Sequence, residues 1–373
     1  MLKGCSIRLK PNKEQEQLMF KFANTARFAY NECLAYRIDR YTNQGINTTV
    51  QECIEHIQDL KRNNPNYKWI NETPEAMTKY AIKCLDKAYK SFFKTNKGFP
   101  KFKSRKHSKI AFHNREDNLR QVDDTHIKIS GIKTPVKCNK CVLPKKVQNP
   151  NIKFDGKYWY LTYSYEVLVN NQPLTKEIIG IDLGIKNLAT LSNGKVYENI
   201  NHTTEMKKLE RRKKRLQRQI SHKYECNKQG NKFIKTQNIK KLEYKLKLLD
   251  RHISNKRDTY IHTTTAEIVR TKPSKVVLED LQVKNLMKNK YLAKSIQEQE
   301  WYKFRQYLTY KCQFNGIEIV IADKYYPSSQ LCSCCGYKNK QVKNLSVREW
   351  ICPNCNTHHN RDYNASVNLM KYA

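Results

Sequence analysis

Four cysteines form two pairs, and each pair has two residues between its members: Cys332 with Cys335, and Cys352 with Cys355. Sixteen residues separate the two pairs, and this spacing is typical of a zinc ribbon. A CxxC turn places two thiolates on one edge of a tetrahedron. Four thiolates leave no open coordination position, so the pattern predicts a structural Zn²⁺ site rather than a catalytic one.

Further thiols and two histidines lie near these positions or repeat their spacing. Cys334 lies within the first zinc pair and could replace a neighbour as ligand, although the spacing favours the pair itself. Cys138 and Cys141 have the same CxxC spacing but no second pair nearby, so we expect them to serve the fold without a metal ion. His358 and His359 could be extra metal ligands. With four cysteines in place we expect them instead at the surface or in contact with nucleic acid, and their role stays open.

Acidic residues at three distant positions could bind a second kind of metal ion. Asp182 is the one charged residue of the apolar stretch 179–183, and a carboxylate in a buried strand is unfavourable unless it is paired or bound to a metal. Glu279 and Asp280 end another apolar run. Because strand side chains alternate, only one of the two can face a metal, and the residues alone do not distinguish them. Asp362 lies at the start of a predicted helix, where capping is an equally good explanation.

A trio of carboxylates is what phosphodiester hydrolysis by two divalent ions requires. One carboxylate bridges both ions and each of the others holds one, and oxygen ligands favour Mg²⁺ or Mn²⁺. Gly180 and Gly184 flank Asp182 and would allow another segment to approach it closely. The sequence contains no GxxxxGK[ST] loop and no evident Ser/His/Asp arrangement, so ATP-driven chemistry is not indicated.

The composition indicates a nucleic-acid partner. The chain has 373 residues, enough for two or three domains, and 39% of them are hydrophobic, enough for packed cores. Lys and Arg number 71 against 34 Asp and Glu, a formal net charge of +37, which is self-repelling unless phosphates neutralise it. There is no apolar run of about 18 residues and no signal-peptide core. We therefore expect a cytoplasmic protein with reduced thiols and no membrane partner.

The first half of the chain is predicted to contain a helical bundle and a β-structure. After a short strand over residues 4–9, residues 13–97 show helical spacing of apolar side chains and no alternation. Residues 98–170 change to short alternating runs, typical of a small β-barrel or sheet. Strands are expected at residues 125–129, 142–143 and 158–167. The basic segment 98–109 contains interleaved aromatics that suit nucleic-acid contacts, and a solvated loop is an equally good interpretation.

The second half is predicted to be an α/β domain. Its expected elements are three consecutive strands over residues 176–199, a helical hairpin turning at 229–230, a buried strand at 275–280, a helix at about 298–314 and a strand at 318–323. Residues 211–215, on the first helix of the hairpin, are all basic. Three strands, a crossover and two more strands linked through helices is the RNase H-like order.

Several segments resemble the TnpB (OrfB) proteins of bacterial insertion sequences, relatives of the compact type V CRISPR effectors. They are GIDLGIKNLATL with Asp182, VVLEDL with Glu279, the stretch from Trp301 through YPSSQLCSCCG, and WICPNCNTHHNRDYNASVNL with Asp362. The resemblance implies that Asp182, Glu279 and Asp362 are the catalytic residues and hold Mg²⁺ or Mn²⁺. The resemblance therefore implies that Glu279, and not Asp280, is the second catalytic carboxylate.

The resemblance also implies a domain organisation: an α/β RNase H-like (RuvC) nuclease domain with an inserted zinc ribbon, plus an N-terminal helical bundle and a small β-barrel, or wedge, domain. The expected limits are 1–12 and 98–175 for the wedge, 13–97 for the helical recognition domain, 176–327 and 359–373 for the nuclease domain, and 328–358 for the zinc ribbon.

The resemblance finally implies partners and a reaction. The family binds a guide RNA from the end of its own element, pairs it with one DNA strand, and cleaves double-stranded DNA beside a short flanking motif. We expect a monomer with one RNA, in the bacterial cytoplasm near the nucleoid. Three rival functions are a guide-bound DNA-binding regulator, a transposase that joins DNA ends, and a junction resolvase. The matching carboxylates disfavour the regulator and the extra domains disfavour the resolvase, but the residues cannot separate hydrolysis from strand transfer.

Overall fold

The computed structural model describes residues 1–95, 98–105, 108–169, 172–344 and 346–373. Residues 96, 97, 106, 107 and 170, which belong to the predicted helical bundle, basic segment and β-structure, lie outside this set. The chain forms two compact units, Met1–Val167 and Leu168–Ala373, called unit 1 and unit 2 below. Among the described helices, none has the length and apolar character needed to span a bilayer.

Unit 1 consists of helices and one antiparallel sheet. Its helices and strands are β1 (Leu2–Lys10), α1 (Lys13–Gln44), α2 (Val50–Asn63), α3 (Glu75–Thr95), β2 (Ile110–His113), β3 (Arg120–Asp123), β4 (His126–Lys128), β5 (Val136–Cys138), β6 (Gln148–Phe154) and β7 (Trp159–Glu166). In the described residues the strands lie in the order β2-β6-β7-β1-β5-β4-β3. The predicted strand over residues 142–143 is wrong. The backbone N–H of Leu143 donates to the side-chain oxygen of Gln121 at 2.7 Å, so it is not available to a neighbouring strand.

The helices and the sheet of unit 1 share one hydrophobic core. Helix α1 begins at a capping box formed by Asn12 and Gln15 and carries the side chains that face the sheet. Its Phe22 contacts Phe112 of β2 at a ring-centroid distance of 5.6 Å. Because aromatic rings of the helix and of the sheet are buried against each other, this contact stabilises the packing of α1 on the sheet.

Unit 2 is an α/β structure. Its elements are β8 (Ile178–Leu183), β9 (Asn187–Leu191), β10 (Val196–Glu198), α4 (Thr204–Cys226), β11 (Lys228–Gln229), β12 (Lys232–Phe233), α5 (Gln237–Arg270), β13 (Lys275–Leu278), α6 (Val283–Leu286), α7 (Ala293–Gln299), α8 (Trp301–Phe314), β14 (Glu318–Ile321), β15 (Glu349–Ile351), β16 (His358–Asn360) and α9 (Arg361–Lys371). The main sheet has the order β10-β9-β8-β13-β14 in the described residues. Strands β10, β9 and β8 are antiparallel neighbours, and β13 and β14 run parallel to β8. The succession along the chain of three strands, helices and two further strands agrees with the sequence prediction, which did not specify the order within the sheet.

The single helix predicted at about residues 298–314 is two helices. Helices α7 and α8 meet at Glu300, whose φ of +50° is a left-handed conformation that no α-helix continues through. The strand predicted at residues 275–280 ends at Leu278, because the chain leaves the sheet there. The predicted helical hairpin forms as α4 and α5, with Met206, Leu249 and Ile253 buried between them.

Helix α9 lies directly on strand β8. A Cβ atom at Gly180 would be 2.0 Å from the carbonyl oxygen of Ser366 and 2.4 Å from the backbone nitrogen of Met370. Only a residue without a side chain permits this approach. The prediction that Gly180 allows another segment to come close is therefore confirmed, and the segment is the helix that begins beside Asp362.

Candidate metal centres

The three predicted carboxylates meet at one edge of the main sheet of unit 2. Strands β8 and β13 are parallel neighbours, with Ile181 opposite Leu278. Asp182 and Glu279 each follow these residues by one position, so the two carboxylates are neighbours across the strands. Asp362 is the second residue of α9, the helix that packs on β8.

The carboxylates influence one another electrostatically. Burial raises the pKa of Asp182 well above its ordinary value, and the charges of Glu279 and Asp362 raise it further, while Arg361 and Arg348 lower it. Burial raises the pKa of Glu279 to about 7, and a hydrogen bond from the backbone N–H of Leu183 opposes that shift. The three carboxylates are not among the side-chain groups whose ligand atoms all lie within 4.8 Å of one another. Because the charges of Glu279 and Asp362 both raise the pKa of Asp182, the acidic cluster is repulsive by itself.

Two alternatives were open from the sequence: Asp280 in place of Glu279, and a helix-capping role for Asp362. Asp280 accepts a hydrogen bond from Arg305 at 2.8 Å, away from Asp182. Asn360, not Asp362, caps α9: its side chain accepts a hydrogen bond from the backbone N–H of Tyr363. Neither a capping role for Asp362 nor a placement of Asp280 beside Asp182 fits this geometry.

Two arginines beside the carboxylates were missed by the sequence reasoning. Arg348 reaches Asp362 with Nη1 3.5 Å from Oδ1, and its own side chain is 49% exposed. Arg361 is buried and donates from Nη1 to the backbone oxygen of Asn344 at 3.2 Å. Arg361 adjoins Asp362 in the chain and could have been noticed. No sequence signal marks Arg348, which reaches the site from the segment between the two cysteine pairs.

The four cysteines of the two CxxC pairs meet in a second cluster. All four sulfur atoms lie within 4.8 Å of one another. The Sγ atoms of Cys332 and Cys355 are 3.6 Å apart, as are those of Cys335 and Cys352. Zn–S bonds of about 2.3 Å give a tetrahedral edge of about 3.8 Å, so the cluster fits a zinc ion.

Hydrogen bonds prepare these thiols for a cation. The side chain of Asn354 and the backbone N–H of Tyr337 lower the pKa of Cys335 to about 6. Thr357 lowers the pKa of Cys355 through its side chain and its backbone N–H. Donors on sulfur favour the thiolate, the form that binds metal. The ligand set Cys332, Cys335, Cys352 and Cys355 is thus supported by the structure.

The remaining sulfur atoms have other surroundings. Cys334 is exposed and groups only with Cys332 and His359. The Sγ atoms of Cys138 and Cys141 are 3.7 Å apart, but among the described residues no third Cys, His, Asp or Glu joins them in a metal-binding cluster.

Three family models match successive parts of the chain. A model described as "Helix-turn-helix domain" of the OrfB_IS605 type matches residues 1–45, one described as "Probable transposase" (OrfB_IS605) matches residues 162–290, and one described as "Cas12f1-like, TNB domain" matches residues 301–369. The last match spans Asp362 and the cysteine cluster.

Individual relatives extend over nearly the full chain. A protein of Streptomyces pristinaespiralis, named as an RNA-guided DNA endonuclease, is 27% identical over 99% of this chain and 88% of its own length. InsQ of Escherichia coli strain K12, named in the same way, is 27% identical over 99% of this chain and 92% of its own length. The Cas12f1 chain of a cryo-EM complex with sgRNA and target DNA has a similar fold, with a TM-score of 0.61 at 17% identity over 96% of this chain and 83% of that one.

The fold and the two clusters define an α/β protein with an acidic edge and a four-cysteine module beside it. The chain is similar to OrfB_IS605 proteins of insertion sequences and shares its fold with Cas12f1.

Proposed function

We propose that this chain is an RNA-guided DNA endonuclease associated with an insertion sequence, and that Asp182, Glu279 and Asp362 form its RuvC-like catalytic site. The observation that carries the proposal is the convergence of these three carboxylates at one edge of the main sheet. The names of the relatives and the +37 charge of the chain support nucleic acid as its partner.

A divalent cation would neutralise the repulsion within the acidic cluster and keep the carboxylates ionised, whereas protonation would neutralise them one at a time. Like charges held together raise one another's pKa, and a bound cation removes that repulsion. A set of three carboxylates suits a site for two divalent ions. Mg²⁺ or Mn²⁺, when bound, would lower the pKa of the attacking water and stabilise the leaving oxygen.

The protein's own groups have separable tasks in this proposal. Asp182 is buried and interacts electrostatically with both other carboxylates, so it would be a central residue in holding the ions. The backbone N–H of Leu183 holds the Glu279 carboxylate in place. Arg348, half-exposed beside Asp362, offers a positive charge to a DNA phosphate. Zn²⁺ on the four cysteines would have a structural role, because no coordination position stays open.

The remaining parts of the proposal concern partners and domains. A guide RNA would supply sequence specificity by base pairing, and the protein would read a short motif beside the DNA target. We propose one RNA per monomer. In the first half of the chain we propose a helical recognition domain at residues 13–97 and a wedge at 1–12 and 98–175. In the second half we propose a nuclease domain at 176–327 and 359–373 around a zinc ribbon at 328–358.

The test is to co-express the chain with the DNA that flanks its gene, purify it and sequence any bound RNA. The complex is then incubated with Mg²⁺ and a plasmid library. Cleavage at sites that match the RNA, lost in Asp182→Ala while RNA binding persists, is expected. Full cleavage by Asp182→Ala would refute the catalytic assignment.

Two other outcomes would favour a different function. Bound RNA with guided DNA binding but no cleavage would indicate the regulator. Joined rather than hydrolysed DNA ends would indicate the transposase, since RuvC-like sites support both reactions.

A further inference from the structure

His359 connects the cysteine cluster to the strand that leads into helix α9. Its side chain is buried, with 6% exposure, and its ring lies 4.8 Å from that of Trp350. Its Nε2 atom is 3.0 Å from the Sγ atom of Cys332, 27 residues away in sequence. The preceding histidine, His358, lies on the opposite face of β16, exposed and 3.6 Å from Glu349.

A nitrogen at this distance from a thiolate acts as a hydrogen-bond donor. Four thiolates on Zn²⁺ carry a net charge of −2, and N–H donors on sulfur reduce that charge. Cys335 and Cys355 receive donors from residues within their own turn or the neighbouring turn. Cys332 also accepts from local backbone N–H groups, but His359 reaches it from β16, so this bond joins two separate segments.

The residues that follow His359 lead directly to the third carboxylate. Asn360 caps α9 and Asp362 stands in its first turn. Farther along the helix, the side chain of Asn364 accepts from the backbone N–H of Ser333 at 2.8 Å and donates to the carbonyl of Leu331 at 2.6 Å. The first cysteine turn therefore holds the start of α9 from both sides, through His359 before it and Asn364 within it.

We propose that His359 is a positioning residue that couples the zinc site to Asp362. With zinc bound, Cys332 is a fixed thiolate, the Nε2–H group of His359 donates to it, and the start of α9 is held where Asp362 faces Asp182. The role of Asp362 in this statement rests on the proposed function. The contact between His359 and the zinc site does not.

The test compares His359→Phe, which keeps the ring but loses the donor, with His359→Gln, whose amide N–H can take the place of Nε2–H. His358→Phe is the matched control on the exposed face of the same strand. Zinc release from the full-length protein is followed with a coloured chelator, and zinc content by elemental analysis. Loss of such an outer partner weakens metal binding about 10-fold to 100-fold. We expect His359→Phe to release zinc at least about 10-fold faster, with His359→Gln and His358→Phe close to wild type.

The second readout is Mn²⁺ binding to the carboxylates, measured by electron paramagnetic resonance without DNA. His359→Phe should weaken it, and His359→Gln should restore it. Unchanged zinc release in His359→Phe would overturn the proposal. A wild-type content of two zinc ions, with one lost in His359→Phe, would also overturn it, because the histidine would then be a ligand. Weakened zinc binding with unchanged Mn²⁺ binding would refute the coupling to Asp362.

These readouts separate this proposal from the proposed function. If wild-type protein binds zinc and Mn²⁺ as expected but does not cleave guided targets, the proposed function fails and the coupling stands. If His359→Phe does not fold, the His359→Gln variant still decides: faster zinc release in that variant, equal to the rate after complete donor loss in His359→Ala, would count against a donor role.

Discussion

Replacing Gly180 with alanine tests the seat of helix α9 on strand β8. The new Cβ would lie 2.0 Å from the carbonyl oxygen of Ser366, whereas ordinary contact begins at 3.4 Å, so the helix must retreat by about 1.4 Å. Overpacking of this kind costs about 1–3 kcal/mol. A misplacement of about 1 Å at a catalytic group costs about 10²-fold in rate. We therefore expect Gly180→Ala to fold with a lowered melting temperature and to cleave about 100-fold more slowly.

The assay combines thermal unfolding with single-turnover cleavage of a guided DNA target at saturating Mg²⁺. At about 2–4 °C per kcal/mol for a domain of this size, the shift in melting temperature should be about 2–12 °C. Gly4→Ala is the matched control, because a Cβ there meets nothing within 4 Å. Wild-type melting and wild-type cleavage by Gly180→Ala would refute the packing of α9 on β8 described above.

Four further substitutions separate the roles of individual residues. Glu279→Gln should abolish cleavage, whereas Asp280→Asn should cleave normally. Asp280→Asn should lower the free energy of unfolding by at most about 1 kcal/mol, since the ion pair of Asp280 with Arg305 is partly exposed. Equal losses of cleavage in the two variants would contradict the choice of Glu279 as the catalytic residue. Cys352→Ser should lose one zinc by elemental analysis and destabilise the cysteine module, and an unchanged zinc content would defeat the zinc site. Arg348→Gln removes a positive charge from the acidic cluster, so Mn²⁺ binding should stay equal or tighten while cleavage slows, and weaker Mn²⁺ binding would be the contrary result.

The sequence predicted best where spacing alone determines geometry. The two CxxC pairs require little more than two tight turns, and their sulfur atoms meet as expected. Asp182 was identifiable because a single charge in an apolar strand needs a partner. Strand and helix order in unit 2 followed from apolar periodicity.

The sequence predicted less where the result depends on register or on long-range contacts. From the residues alone, Glu279 and Asp280 could not be separated; the register of β13 against β8 puts Glu279 beside Asp182. Arg348 and His359 acquire their contacts only when distant segments fold together. The break at Glu300 is not marked by Gly or Pro, so the residues alone gave no sign of it.

The position of the three carboxylates along the chain sets an order of events during synthesis. Residues 1–167 have their own core and can fold while the rest is still being made. Asp182 enters the sheet next and Glu279 about one hundred residues later, but α9, with Asp362, has to be synthesised and seated over Gly180 before the trio is complete. Under the proposed function, a ribosome-bound chain that stops short of residue 361 would be able to bind nucleic acid through its positive charge before it could cleave DNA. Under the proposed function, the late synthesis of α9 delays cleavage relative to nucleic-acid binding.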